Sequence, residues 1–136
     1  NGCLTLRMTE PSAKITSFRQ LGISKWLCET CKEMGIERPT PIQVLAIPPI
    51  KKGENVIARA KTGSGKTATF GLPIVDALSE DPYGIFAYVL TPTRELAYQI
   101  AEQLNAFGTP MGIRIQVVAG GTDIVREATG LEKAPH

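Results

Sequence analysis

The rhythm of apolar and polar positions changes several times along this chain. Residues 1 to about 17 show no period and read as a loose leader. From there the pattern becomes helical. In ISKWLCETCKEMG (residues 23–35), Leu27, Cys31 and Met34 recur at helical spacing, with Ser24 as a candidate cap and Gly35 suited to the end. PTPIQVLAI (39–47) predicts a second helix, capped by Thr40, opened by Pro41 and stopped by Pro48-Pro49. Three strand-then-helix units follow. ENVIARA (54–60) is a short apolar strand, and the helix after it starts near Gly65 and carries Phe70, Ile74 and Leu78. GIFAYVL (84–90) is nearly continuous in apolar residues, as a strand buried on both faces would be. The helix PTRELAYQIAEQLNAFG (92–108) places Leu96, Ile100 and Leu104 on one stripe. IRIQVVAGG (113–121) then leads into DIVREATGLEK (123–133). Strands alternating with helices predict a parallel sheet covered by helices, because parallel neighbours need a crossover.

Bulk properties narrow the classes without choosing among them. A length of 136 residues allows at most one domain, and 43% hydrophobic with 21% charged residues describes a globular chain. A net charge of +2 permits nucleic-acid or nucleotide partners but does not argue for them. No apolar run reaches the length of a membrane helix, and the first ten residues lack a signal-peptide layout, so the expected setting is intracellular, with no membrane partner. The Asn at position 1 reads as the start of a piece of a longer product. Cys3, Cys28 and Cys31 are an odd number, which disfavours a disulfide framework. Cys28 and Cys31 have zinc-like spacing, but no second pair follows and the single histidine is His136; two small apolar residues on one helix is the expected role, with no zinc.

One stretch carries chemistry. Ala60-Lys61-Thr62-Gly63-Ser64-Gly65-Lys66-Thr67 matches the phosphate-loop pattern Gly-x-x-x-x-Gly-Lys-Ser/Thr, with Ala60 in place of the first glycine. Gly63 and Gly65 allow backbone conformations that turn successive N–H groups inward as a nest for phosphate oxygens. The helix that begins there adds unpaired N–H groups and the positive end of its dipole. Lys66 supplies a mobile charge for terminal phosphates, and the Thr67 hydroxyl suits Mg²⁺. A glycine-rich turn that binds nothing is the competing reading, and the strand before the loop and the helix after it weigh against that.

The flanking segments narrow the choice of phosphate-loop protein. GIERPTPIQ (35–43), AKTGSGKT (60–67), PTRELA (92–97) and the Gly120-Gly121 pair stand in the order, and near the spacings, of the first motifs of DEAD-box RNA helicases, and Phe18 fits the family's isolated upstream aromatic. The resemblance covers residues 18–136. It implies an α/β fold of the phosphate-loop NTPase, RecA-like kind, incomplete at the C-terminus, with a Q motif at 35–43. It also implies ATP and Mg²⁺ as cofactors and RNA as partner, held by its backbone without sequence specificity. The stretch 78–103 is similar to nucleolar members that work in ribosome production, which implies a nuclear or nucleolar setting.

Each implied role has a physical rationale and a plainer rival. In the family the Q-motif glutamine reads adenine, and the amide of Gln43 matches adenine's N6 and N7. Thr40-x-x-Gln43 is equally a capping box, in which the glutamine serves its own helix. Phe18 stacks on the base or belongs to the core; Ile36, where the family more often has an aromatic, departs from the pattern. Pro92, Thr93, Arg94 and Glu95 are implied to touch RNA backbone, for which a helix N-terminus beside a hydroxyl and a guanidinium is suited. Simple capping, with Thr91 as cap and Pro92 at the first position, explains the same residues. Gly120 and Gly121 allow close approach of RNA, or form an ordinary turn.

Hydrolysis needs an acidic residue at the end of a second buried strand and a group that orients water. The family supplies both from Asp-Glu-Ala-Asp, which this sequence does not contain, and a second RecA-like domain is absent. Asp76 is expected at the surface of the phosphate-loop helix and too close to Thr67 to stand in. The 136-residue chain is therefore expected to bind ATP without turning it over, either as the first part of a helicase or as a non-catalytic nucleotide- or RNA-binding module.

Overall fold

The computed structural model describes residues 4–5, 15–120 and 135–136. The helix expected over 123–133, and Gly121, lie outside the described residues. The chain divides into two compact units, Asn1–Asp76 and Ala77–His136.

In the first unit a two-residue strand, β1 (Leu4–Thr5), pairs in parallel with β2 (Val56–Ile57), Leu4 opposite Val56 and Thr5 opposite Ile57. This pairing falls within the stretch read as a leader; two residues are too few to display a period. A 3-10 turn, η1 (Phe18–Leu21), follows. Ser17 and Gln20 form a capping box at its start, and Gly22, at φ +82°, ends it in the left-handed region that a side chain would strain.

Helix α1 (Lys25–Glu33) buries Leu27, Thr30 and Cys31, while Met34 is exposed beyond its end. Ser24 occupies the cap position, yet its hydroxyl makes no capping bond. Helix α2 (Pro41–Lys51) starts as expected, at Pro41 after the Thr40 cap, but Pro48-Pro49 do not stop it. Each proline withholds its own N–H and crowds the carbonyl four residues back, but the helix closes around them near its end, where the Lys52 N–H still reaches Pro48 O and Pro49 O. Helix α3 (Lys66–Leu78) likewise runs through Pro73. Its buried stripe is Ala68, Leu72, Val75 and Leu78. Phe70 and Ile74, expected to lead that stripe, are only half-buried. With η1 packed on α1 and α2, and α2 on β2, the buried side chains of this unit include Phe18, Leu21, Ile23, Leu27, Ile42, Ile47, Leu72 and Val75.

The second unit is built on helix α4 (Arg94–Gly108), whose Ile100, Ala101, Leu104 and Phe107 are buried, and a 3-10 turn, η2 (Thr109–Met111). Leu96, predicted on the stripe, is exposed. Gly108 lies so close to Ile113 that a Cβ would meet its side chain at 2.6 Å.

The largest departure from expectation is GIFAYVL. Residues 84–90 form no strand, and Ile85, Phe86, Tyr88, Val89 and Leu90 are exposed, Leu90 at 95%. A strand buried on both faces needs ladder partners and covering helices, and apolar composition supplies neither. The main-chain contacts here come from the other end of the unit: Phe86 N and Ala87 N donate to the main-chain oxygen of His136, whose own N–H reaches Arg114 O at 2.9 Å. Residues 113–119, also expected as a strand, carry no strand assignment.

Candidate functional site

The phosphate loop forms where the chain leaves β2 and enters α3. Thr62 and Gly63 make a turn, and Ser64 N donates to Lys61 O at 3.3 Å. Gly63 (φ +77°) and Gly65 (φ +83°) both adopt conformations that favour glycine. Gly65 has a second reason to lack a side chain, since a Cβ there would collide with Gln43 Nε2, whereas nothing lies within 4 Å of the corresponding point on Gly63. The first N–H groups of α3 have no intrahelical acceptor by position, and they open the helix at the loop.

Lys66 curls back over the loop, its Nζ donating to Ala60 O at 2.7 Å and Lys61 O at 3.0 Å. Its ammonium is thus held by backbone oxygens of the same loop, and Lys66 itself is exposed. The Ser64 hydroxyl is buried with no hydrogen-bond partner, which leaves it available to an acceptor brought by a ligand. Thr67, half-buried, stands in the first turn of α3. Ala60 is half-buried, and Lys61 and Thr62 are exposed. The structure therefore brings residues 60–67 into one cradle.

Two residues of the preceding segment brace that cradle. Thr40 Oγ1 donates to Ser64 O at 2.8 Å, and Gln43 Nε2 to Gly65 O at 3.1 Å. Gln43 Oε1 meanwhile accepts the Thr40 N–H at 2.8 Å, completing the capping box. Gln43 is 2% exposed, with both ends of its amide engaged by the protein. In this arrangement it ties α2 to the loop and offers little edge to a base. Gly65 O also accepts from Thr69 N and Thr69 Oγ1. The bracing by Thr40 and Gln43 was not anticipated from sequence; the only signal for it was the capping-box spelling, which fixes the glutamine's acceptor but does not say where its donor goes.

Phe18 is buried at 3% exposure and contributes to the wall of an open cavity of about 620 Å³. Arg19, Lys25, Cys28, Lys32, Glu37 and Arg38 are among its other lining residues. Burial raises the Cys28 thiol above its ordinary range, an effect partly offset by Arg19, and pushes Cys31 up to about 12. Both thiols stay protonated near neutral pH, so neither has the thiolate character of a nucleophile.

Asp76 departs from the sequence expectation. It is buried, not at the surface; its carboxylate pairs with Lys51 and accepts the Ser24 N–H at 3.1 Å. A carboxylate at that depth needs such partners, and the sequence alone did not reveal which cation would reach it.

In the second unit, Pro92, Thr93, Arg94 and Glu95 are all exposed around the start of α4. Thr93 is the cap, its Oγ1 accepting from Leu96 N at 3.3 Å; Thr91, the expected cap, instead donates to Thr93 O. Pro92 therefore precedes the helix. Gly120 is exposed in a turn with open space at its Cα.

A glycine-rich cradle between a parallel strand and a helix defines a phosphate-loop α/β fold. Comparison with known proteins makes this specific. The family model for the DEAD/DEAH box helicase matches residues 40–136, and the chain belongs to that family. Among its relatives, the human "Probable ATP-dependent RNA helicase DDX49" is 53% identical over 122 residues, 90% of this chain and 25% of that protein. The Debaryomyces hansenii "ATP-dependent RNA helicase DBP8" is 54% identical over 120 residues, 88% of this chain and 27% of the relative. This chain thus spans about a quarter of the length of such relatives. Among solved structures, a DEAD box protein from Methanococcus jannaschii superposes with a TM-score of 0.78 at 36% identity, covering 85% of this chain and 32% of that one. The RNA helicase Prp28 from Chaetomium thermophilum, crystallised with ADP, gives 0.75 at 36% identity, covering 85% and 29%. The fold is therefore a RecA-like helicase domain, helix-rich with a partial sheet. No helix among the described residues is long and apolar enough to cross a membrane.

Proposed function

We propose that this chain is the nucleotide-binding N-terminal part of an ATP-dependent RNA helicase and that it binds adenine nucleotides through residues 60–67. The observation that carries the reading is the cradle itself: two glycines at positive φ, an orphaned Ser64 hydroxyl, and the Lys66 ammonium resting on loop carbonyls at the N-terminus of α3. Lys66 exchanges those carbonyls for terminal phosphate oxygens, while the loop amides take the remaining oxygens. Thr67 is the residue suited to hold Mg²⁺, which when bound neutralises charge on the phosphates. The ADP present in the Prp28 structure supports the nucleotide class. Gln43 belongs to this site chiefly by bracing the loop, and Phe18, in the wall of the cavity lined by residues between 16 and 38, is assigned to the base side on the family resemblance.

RNA is the proposed partner of the second unit, with its backbone received at the α4 N-terminus by Thr93, Arg94 and the exposed amides, and at Gly120-Gly121. Coupling of nucleotide to duplex separation is proposed for the whole enzyme, together with a role in ribosome production for which the likeness of residues 78–103 is the support. Nucleotide binding is the part in that activity proposed for these 136 residues.

Calorimetric titration of Mg·ADP tests the central point. The wild-type chain is expected to give a saturable heat, and Lys66→Ala to reduce affinity by about tenfold or more, as loss of a charge-assisted contact does. Absence of binding by folded wild-type protein would falsify the reading.

A further inference from the structure

The three segments that carry the proposed nucleotide site converge again at their far ends. Helix α2 bears Thr40 and Gln43 at its start and Lys51 at its end; α3 bears Lys66 and Thr67 at its start and Asp76 near its end; η1 bears Phe18 and ends at Gly22. Lys51 Nζ pairs with the Asp76 carboxylate and donates to Gly22 O at 2.6 Å. Asp76 Oδ1 accepts from Ser24 N at 3.1 Å. One ion pair therefore grips the turn that follows η1 from both sides.

We propose that Lys51 and Asp76 are positioning residues for nucleotide, holding η1 and the starts of α2 and α3 in the arrangement that receives the nucleoside. The proposal rests on the nucleotide-binding reading above. At 1.5 Å per residue, Lys51 lies about 12 Å along α2 from Gln43, and Asp76 about 15 Å along α3 from Lys66. The pair touches no ligand at such a range. What it controls is geometry. The Thr40–Ser64 and Gln43–Gly65 bonds pin α2 to the loop at the site end, and the ion pair pins α2 to α3 at the other, so the two helices cannot splay. The third attachment is the one that distinguishes this pair from an ordinary surface bridge. Gly22 N and Ile23 N both bond to Phe18 O, so the turn held by Lys51 and Asp76 is continuous with the residue that walls the cavity. The Asp76 side chain is 6% exposed and that of Lys51 28%, which shields the pair from solvent screening.

The consequence is a division between ligands. A nucleotide needs both the cradle and the base side; inorganic pyrophosphate needs the cradle alone. In the full 136-residue chain, Lys51→Met keeps the aliphatic stem and removes the charge, and Asp76→Asn keeps the shape. Titrated with Mg·ADP and separately with Mg·pyrophosphate, each variant is expected to lose about five- to tenfold in ADP affinity, in the range of coupling through a shared network, with pyrophosphate affinity within about twofold of wild type. The double variant should lose no more than either single one, and Lys51→Arg should recover most of the ADP affinity. Circular dichroism of the same samples fixes the folded fraction. An unchanged ADP affinity, or ADP and pyrophosphate falling together as they would on simple unfolding, overturns the proposal. Failure of the wild type to bind either ligand overturns the nucleotide-binding reading instead.

Discussion

At the scale of single residues, the loop shows why two glycines in one motif are not equivalent. Both Gly63 and Gly65 sit at positive φ, where a side chain costs about 1–2 kcal/mol. Only at Gly65 would that side chain also strike Gln43. Gly63→Ala is expected to cost about 1 kcal/mol in urea denaturation and Gly65→Ala about 3, the difference being the overpacking against the buried amide. Equal losses would mean that Gln43 moves aside freely, and would weaken its role as a brace. The turn from Ala60 to Thr67 was legible in the sequence because its conformation is local: the loop is made by its own backbone. The bonds from Thr40 and Gln43 to that loop were not, since they join residues more than twenty positions apart.

At the scale of elements, helix starts were read more accurately than helix ends and caps. The Thr40 capping box and Pro41 at the first position of α2 are as the spelling predicts. The cap of α4 is not, because Thr91 and Thr93 both precede an apolar stripe and only the geometry decides between them. Thr93→Ala is accordingly expected to lower stability by about 1 kcal/mol in thermal or urea unfolding, and Thr91→Ala by no more than a few tenths, about the value of an exposed hydroxyl. The reverse order would restore Thr91 as the cap. Prolines misled at one place only: Pro48 and Pro49 were expected to stop α2 and lie within it, whereas α3 runs through Pro73 as the pattern of Phe70, Ile74 and Leu78 predicts. Each removes one bond and crowds one carbonyl locally, and packing of the flanking apolar residues outweighs that cost.

At the scale of the whole molecule, the consequence that matters most is the exposed apolar run. Tyr83 and Leu90 are 90% and 95% exposed, with four further large apolar side chains between them. An exposed run of large apolar side chains is a surface for association. The chain is expected to self-associate as concentration rises, and Tyr88→Lys with Leu90→Lys to keep it monomeric in sedimentation while leaving Mg·ADP affinity within about twofold, since neither residue belongs to the phosphate cradle. A wild-type chain that stays monomeric and binds no hydrophobic dye would show that this run is covered in solution.

What the sequence determined by itself was whatever short-range chemistry dictates: the α/β class, the phosphate loop and the family to which the chain belongs. Periodicity and motif spacing depend on neighbours a few residues away, so they survive in one dimension. Tertiary structure decided the rest. It placed Asp76 in the interior against Lys51, turned Gln43 toward the loop, and left GIFAYVL outside any sheet among the described residues. Burial, ion pairing and strand membership each require a partner brought from far along the chain, and apolar or charged character at a single position does not name that partner.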